Sequence, residues 1–416
     1  MLITSGGFVR KGLVLLCAGG AVTAATLTAP AHAATARVAS ARWSSTAELQ
    51  AGAEAGTTVS AGTIRFGRAT GATRIGGRVY ETARWTSPWR ATGFGADEVV
   101  PSWNARTPGR SAVVVAVRVR TTAGRTGSWD TVARWAERDS THKRRSGSAQ
   151  TDDVAKVVTD VVRANGGHRI GAWQVRVTLL RAKGAGSAPR VLSVGAVASR
   201  AAKASRPVSA TTMTRTVELP VRRYSQMLHR GQYRQYGGGG AAWCSPTATT
   251  MVLRSLGKGP TKAQYAWVRK GLKQRYVVHG ARRTYDYRYR GTGNWAFNTA
   301  YAGTRGTDAF VTRLTSLRDA EAIVKAGIPL VVSIRFGRGG LTGAPISSTA
   351  GHLVVIRGFT ATGAVIVNDP AAARPSTVRR VYRRDQLERA WIRGSGGTAY
   401  VIRTGKALPS LPGHAW

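Results

Sequence analysis

The sequence predicts an α+β domain over residues 220–408, preceded by an all-β antiparallel sandwich over 34–199. Three observations carry this reading. The first region alternates apolar and polar residues with a period of two. The second mixes apolar runs with helix start and stop signals. Small and polar residues with Pro207 separate them as a linker over 200–219. The 416 residues are 43% hydrophobic and 19% charged, which permits packed cores and argues against wholesale disorder.

Residues 1–33 read as a leader. Arg10 and Lys11 precede an apolar stretch from Gly12 to about Thr28, and Ala31-His32-Ala33 is a small-x-small cleavage pattern. Cleavage after Ala33 removes Cys17, and no later apolar run is long enough to span a membrane, so a secreted protein without a membrane span is expected. The formal net charge is +43. Such an excess points to polyanionic surroundings. No helix-turn-helix, zinc-finger spacing or basic-aromatic RNP stripe accompanies it, so anionic cell-wall polymers are the expected partners rather than nucleic acid. Two cysteines rule out a four-cysteine zinc site, and nothing implies a metal or an organic cofactor.

In the first region Val115, Val117 and Val119 share one face of a strand whose other face carries Ala116, Arg118 and Arg120. Trp173 to Leu179 repeats the pattern, and Ser187 to Ala198 adds a further apolar strand. Seven of the twelve tryptophans lie here, and core filling between sheets explains them more simply than sugar stacking. Arg138 to Asp153, with Lys143-Arg144-Arg145, reads as a mobile basic loop.

The chemistry clusters in the second region. Gly237 to Gly240 form a loop whose backbone can approach a ligand closely, and Trp243-Cys244-Ser245-Pro246 follows. Pro246 suits a first helical turn, Ala248, Val252 and Leu256 recur on one face, and Gly257 is a stop. Cys244, left as the single cysteine after leader removal, therefore sits at a helix N-terminus, where free N–H groups and the dipole favour a thiolate. A buried core cysteine is the plainer alternative. A nucleophilic thiol needs a base and the base an orienting group. His352 opens the apolar strand Gly351 to Phe359, and a second strand, Ala364 to Val367, ends in Asn368-Asp369-Pro370. If the two form a hairpin, His352 meets Asp369, or Asn368, at one end of the sheet. Gln226 is the first candidate for an oxyanion donor alongside the Cys244 N–H, with Gln232 and Gln235 as nearer competitors. Asn294 to Tyr301 reads as a core-packing helix start with Trp295 and Phe297 buried. Ser316 caps a helix ending at Gly327, and Ile328 to Ile334 forms a buried strand.

Tyr-Ser-Gln at 224–226, Trp-Cys-Ser-Pro-Thr at 243–247, Gly-His-Leu-Val-Val-Ile at 351–356 and Val-Asn-Asp-Pro-Ala-Ala at 367–372 together resemble the C39-like branch of papain-type cysteine peptidases, in particular exported actinobacterial members. The resemblance covers about residues 215–405. It implies a papain-like domain with Cys244 as nucleophile, His352 and Asp369 completing a triad, Gln226 in the oxyanion hole, and Asn294 to Tyr301 helping to form the substrate cleft. No G-x-x-x-x-G-K-[ST] motif is present, so the export role of transporter-linked relatives is not implied. The expected function is a secreted cysteine peptidase acting on peptide or protein substrates. The alternatives are peptidoglycan amide hydrolysis or transpeptidation, and non-catalytic cell-wall binding.

Overall fold

The computed structural model describes residues 37–140, 142–147, 149–151, 153–201 and 207–416, so the leader and Cys17 lie outside the described residues. The alternating valine runs become the strands Ser111–Thr121 and Ile170–Ala182, which pair antiparallel. Val113, Val115, Val117 and Val119 stand opposite Leu179, Val177, Val175 and Trp173, and all eight side chains are buried. Burying one face while the other stays polar is what a period of two accomplishes. These strands sit at the middle of an eight-stranded sheet. A seven-stranded sheet facing it is centred on Arg190–Arg200, flanked by Arg37–Trp43 and Glu98–Arg106. Trp43 from the second sheet meets Trp85 and Trp173 of the first edge-on, each with 5.8 Å between ring centroids. Five of the region's seven tryptophans are thus core residues, while Trp89 and Trp129 lie half-buried under Arg118, Arg120 and Arg176.

One departure from an all-β reading is the short helix Thr46–Gln50, started by a Ser45–Glu48 capping box. Its Leu49 carbonyl accepts from the Trp85 indole at 2.8 Å, and a Cβ on Gly52 would stand 2.3 Å from that ring.

A third antiparallel sheet runs, by strand, Asp308–Arg313, Thr398–Arg403, Leu330–Phe336, Thr349–Phe359, Val365–Asn368, Arg379–Tyr382. Its alternate residues serve two cores. Val331, Leu353, Val355 and Tyr400 pack with helices Cys244–Ser255 and Arg275–Thr284, while Leu330, Val332, Val354 and Val401 pack with helix Leu317–Lys325. That last helix starts on a Ser316–Asp319 capping box, and Gly327 follows it at φ +79°.

The described residues from Arg37 onward form one compact unit. Phe297, in helix Trp295–Gly303, packs edge-on against Trp103 and joins the core between the first two sheets. Val38, Val100, Val161 and Val197 of the first region join the core under the cysteine helix. The Asn104 amide donates to the Ala309 carbonyl at 2.6 Å and accepts from its N–H at 3.0 Å, clasping the edge strand of the third sheet.

Two stretches differ from their sequence reading. Within the presumed linker, Val217–Glu218 pairs with Thr349–Phe359, and Thr211 and Thr212 hydrogen-bond the buried Glu321 at 2.6–2.8 Å. The described part of the basic loop is docked rather than solvated. Arg144 is fully buried and donates to the Ala136 and Arg282 carbonyls, Asp139 binds Arg282 through three contacts, and Ser146 N–H donates to Asp286. Counting charges in a run registers their number but not the carbonyls and carboxylates that tertiary folding brings to meet them.

Candidate active site

The segment before Cys244 is shaped by glycine. Gly237, Gly238 and Gly239 all have φ between +73° and +94°, and a Cβ on Gly240 would stand 2.3 Å from the Gln226 carbonyl oxygen. The close approach that glycine permits is therefore made to the chain's own Gln226–His229 turn, not only to the cleft. Trp243 is buried and its indole donates to the Tyr236 carbonyl at 2.6 Å, which fixes the residue before the helix.

Cys244 is the first residue of helix Cys244–Ser255, and no side chain caps that helix. The backbone N–H groups of Ser245 and Leu353 and the His352 ring instead act on its sulfur. Burial alone would raise the thiol pKa, but His352 and these N–H groups outweigh it and hold the thiol below its ordinary value.

His352 lies on strand Thr349–Phe359, opposite Ile334. The following strand Val365–Asn368 pairs back on it, with Val355 opposite Asn368 and a bulge before Gly358. That register brings His352 Nε2 to 2.8 Å from Asp369 Oδ1. The same oxygen accepts the Ala371 N–H at 3.0 Å, and Asp369 Oδ2 accepts the Tyr382 hydroxyl at 2.7 Å. Both His352 and Asp369 are buried. Burial opposes charge on the imidazole, yet the Asp369 carboxylate, with Cys244, pushes its pKa up to about 10. Burial likewise opposes charge on Asp369, but His352, Tyr382 and the Ala371 N–H keep it below the usual carboxylate range. The neighbouring Asn368, left open from sequence, points the other way and donates to the Val221 and Arg222 carbonyls. Successive strand residues face opposite sides, so only one of the pair can meet the histidine.

The remaining buried histidines behave differently. Burial holds His142 and His229 down at about 4 and His279 at about 3, so each is neutral.

Gln226 is buried, its backbone N–H donates to the Pro370 carbonyl at 2.9 Å, and its Nε2 donates to the Ala241 carbonyl at 2.8 Å. Gln226 thus ties the turn after Asp369 through its backbone to the turn before Cys244 through its side-chain amide, which has one N–H left over. Gln226, Cys244 and His352 line one open cleft of about 1520 Å3. Gln232 and Gln235 do not line it, and Gln232 instead accepts from Arg269. The Asn294–Tyr301 segment divides its roles: Trp295 lines the cleft and Phe297 is core. No group of three or more His, Cys, Asp or Glu side chains placed to hold a metal occurs among the described residues.

Sequence reasoning missed Tyr382, which no local pattern marks, since it reaches Asp369 only through the strand pairing of Arg379–Tyr382 with Val365–Asn368. It also missed Asp160. This residue sits at the tip of the hairpin Ala155–Val158/Val161–Ala164, lines the same cleft, and accepts the Trp295 N–H at 2.5 Å. A lone acid between Val-Val-Thr and Val-Val was its signal.

Burial, with the nearby Asp286 adding to it, raises the Asp160 carboxyl to about 7 against the pull of the Trp295 and Ala296 N–H groups. The folded chain then holds a proton that the unfolded chain has lost, so stability falls as pH rises from about 4 to about 7. The melting temperature of Asp160→Asn, minus that of wild type, is expected to increase across this window and level off above it. A flat difference would show that Asp160 does not titrate there.

A family model described as the peptidase C39 N-terminal domain matches residues 39–199, and one described as the peptidase C39-like family matches 218–398, the stretch holding Gln226, Cys244, His352 and Asp369. The chain belongs to the peptidase C39-like family. Three solved chains match this C39-like chain. One is a crystal structure described as a C39-like peptidase from Bacillus anthracis, 15% identical, covering 46% of this chain and 99% of its own, at a TM-score of 0.29. At that score the likeness carries no argument. No curated protein matches the chain. No helix among the described residues of this C39-like protein is long and apolar enough to cross a membrane.

Proposed function

We propose that this C39-like chain is an exported cysteine peptidase, with a papain-like α+β domain preceded by a β-sandwich, acting through Cys244, His352 and Asp369. The observation that carries the reading is the buried His352–Asp369 hydrogen bond of 2.8 Å, with the same imidazole lining one cleft with the half-buried Cys244 at a helix N-terminus and acting on its thiol. Nε2 is engaged by Asp369, which leaves Nδ1 for the sulfur. The thiolate attacks the substrate carbonyl carbon, and the carbonyl π pair moves to oxygen. Collapse of that adduct expels the amine, which takes the imidazolium proton. His352 then accepts a proton from water as it attacks the thioester, and the acid product leaves with the thiol restored. Asp369 holds the ring orientation and stabilises its cationic form. The free N–H of Gln226 and the Cys244 backbone N–H serve the oxyanion.

Hydrolysis of denatured protein or a peptide pool by the full chain tests this directly. Cys244→Ala is expected to abolish turnover with its circular dichroism unchanged, and retained turnover would remove the mechanism. Gln226→Ala is expected to lower kcat by about 10²-fold with a smaller change in KM, because an oxyanion donor acts mainly in the transition state. An unchanged kcat would return Gln226 to a purely structural role between Pro370 and Ala241.

A further inference from the structure

The cleft is not formed by the second region alone. Asp97, Glu98 and Asp160 of the first region line it together with Cys244 and His352. Each of these carboxylates is already engaged. Asp97 pairs with Arg169, Glu98 with Arg163 and Arg313, and Asp160 with the start of helix Trp295–Gly303. Arg163, Arg169 and Arg313, which line the cleft too, are thereby matched, but four further cations of the cleft are not. Arg200, Arg230, Arg290 and Arg335 are exposed, line the cleft, and have no guanidinium hydrogen bond or ion pair among the described residues.

Three of them adjoin the site itself. Arg230 directly follows the Gln226–His229 turn. Arg335 directly follows Ile334, the strand partner of His352. Arg290 follows Tyr289, which lines the same cleft as Cys244. Arg290 also holds φ at +56°, a conformation costly for a residue with a side chain, and its backbone N–H is tied to the Asp286 carbonyl at 2.8 Å. Apolar groups interleave with these cations. Tyr289 (52% exposed) and Val158 (40%) are two of the five exposed large hydrophobic residues among the described residues, and both line the cleft.

We infer that the cleft selects acidic peptides, with Arg230, Arg290 and Arg335 receiving Asp or Glu side chains that flank the bond under attack. The inference rests on the peptidase reading above for the reaction, but not for the recognition. Interleaved tyrosine and valine favour a peptide over a uniformly charged phosphate polymer, which offers nothing to cover them. Charge complementarity of this kind acts on encounter and on partner choice, and it weakens with salt.

The test compares the full chain on three peptide pools of one length, rich in Asp and Glu, rich in Lys and Arg, or uncharged. The acidic pool is expected to exceed the basic pool in kcat/KM by about tenfold or more at low salt, with the ratio shrinking near 0.5 M salt. Arg230→Glu, Arg290→Glu and Arg335→Glu combined should reverse the order. Arg78→Glu, exposed and outside the cleft, should leave it unchanged. Equal cleavage of all pools would overturn the inference while leaving the peptidase reading intact. If no pool is cleaved, the peptidase reading falls, and binding of the same pools to Cys244→Ala decides the inference by itself. A similar acidic preference sustains it. Charge-indifferent binding, no binding, or tighter binding of inorganic polyphosphate than of the acidic pool overturns it.

Discussion

Alkylation of Cys244 by iodoacetamide is expected to proceed below the ordinary thiol range of pH in the wild type and to fall by at least about tenfold there in His352→Ala. Against the opposing effect of burial, the His352 imidazole and the Ser245 and Leu353 N–H groups hold the Cys244 thiol below its ordinary value. Removing the imidazole leaves burial and the N–H groups, so the thiol should titrate near or above the ~8.5 of a free cysteine. The wild-type profile should rise below that value and then level off. Cys244 is the single free cysteine of the described chain, so the modified site is unambiguous by mass. A profile that ignores His352 would mean that the two groups do not form an ion pair, and the proposed nucleophile would lose its base.

Asp369→Asn is expected to lower kcat by about 10³-fold or more while Cys244 stays alkylatable, because the orienting carboxylate acts through the ring and not on the substrate. Here the carboxylate accepts from His352, Tyr382 and the Ala371 N–H, all in a buried site. An amide can keep only part of that set, and it cannot stabilise an imidazolium. The pH dependence of stability should change with it. His352, raised to about 10, contributes stability fully present below its unfolded value near 6.5 and lost as pH rises through about 10. Asp369, depressed, contributes stability present above about 4 and lost as pH falls through its lower folded value. In the variant both slopes should flatten in thermal melts taken from acid to alkaline pH. A variant with wild-type kcat would leave Asp369 as a packing group.

Much of this site is legible along the chain because its parts are local. A cysteine with Pro two residues on and Gly at 257 specifies a helix start and stop without reference to anything distant, and the helix observed is Cys244–Ser255. The two strands around the Gly363 turn are a short-range hairpin, so the approach of residue 352 to residue 369 follows from the lengths of two runs and the turn between them. Alternation likewise specifies which faces of Ser111–Thr121 and Ile170–Ala182 are buried.

What only the tertiary structure decided depends on partners far apart in sequence. The choice of Asp369 over Asn368 rested on strand register, and the support from Tyr382 on a third strand. The docking of Arg144 depended on carbonyls at 136 and 282, and the place of Asp160 on a helix that begins at Trp295. Sequence patterns record how each segment prefers to bury its own side chains. They carry no direct record of which buried donor meets which acceptor, because that pairing is selected only when separate segments close on one another and each unpaired polar group must be satisfied or pay for its desolvation. By itself the sequence marked Cys244 and His352 as candidates and determined which faces of the sheets are buried. Folding determined that a wall of the cleft comes from the first region, and so which charges face the site.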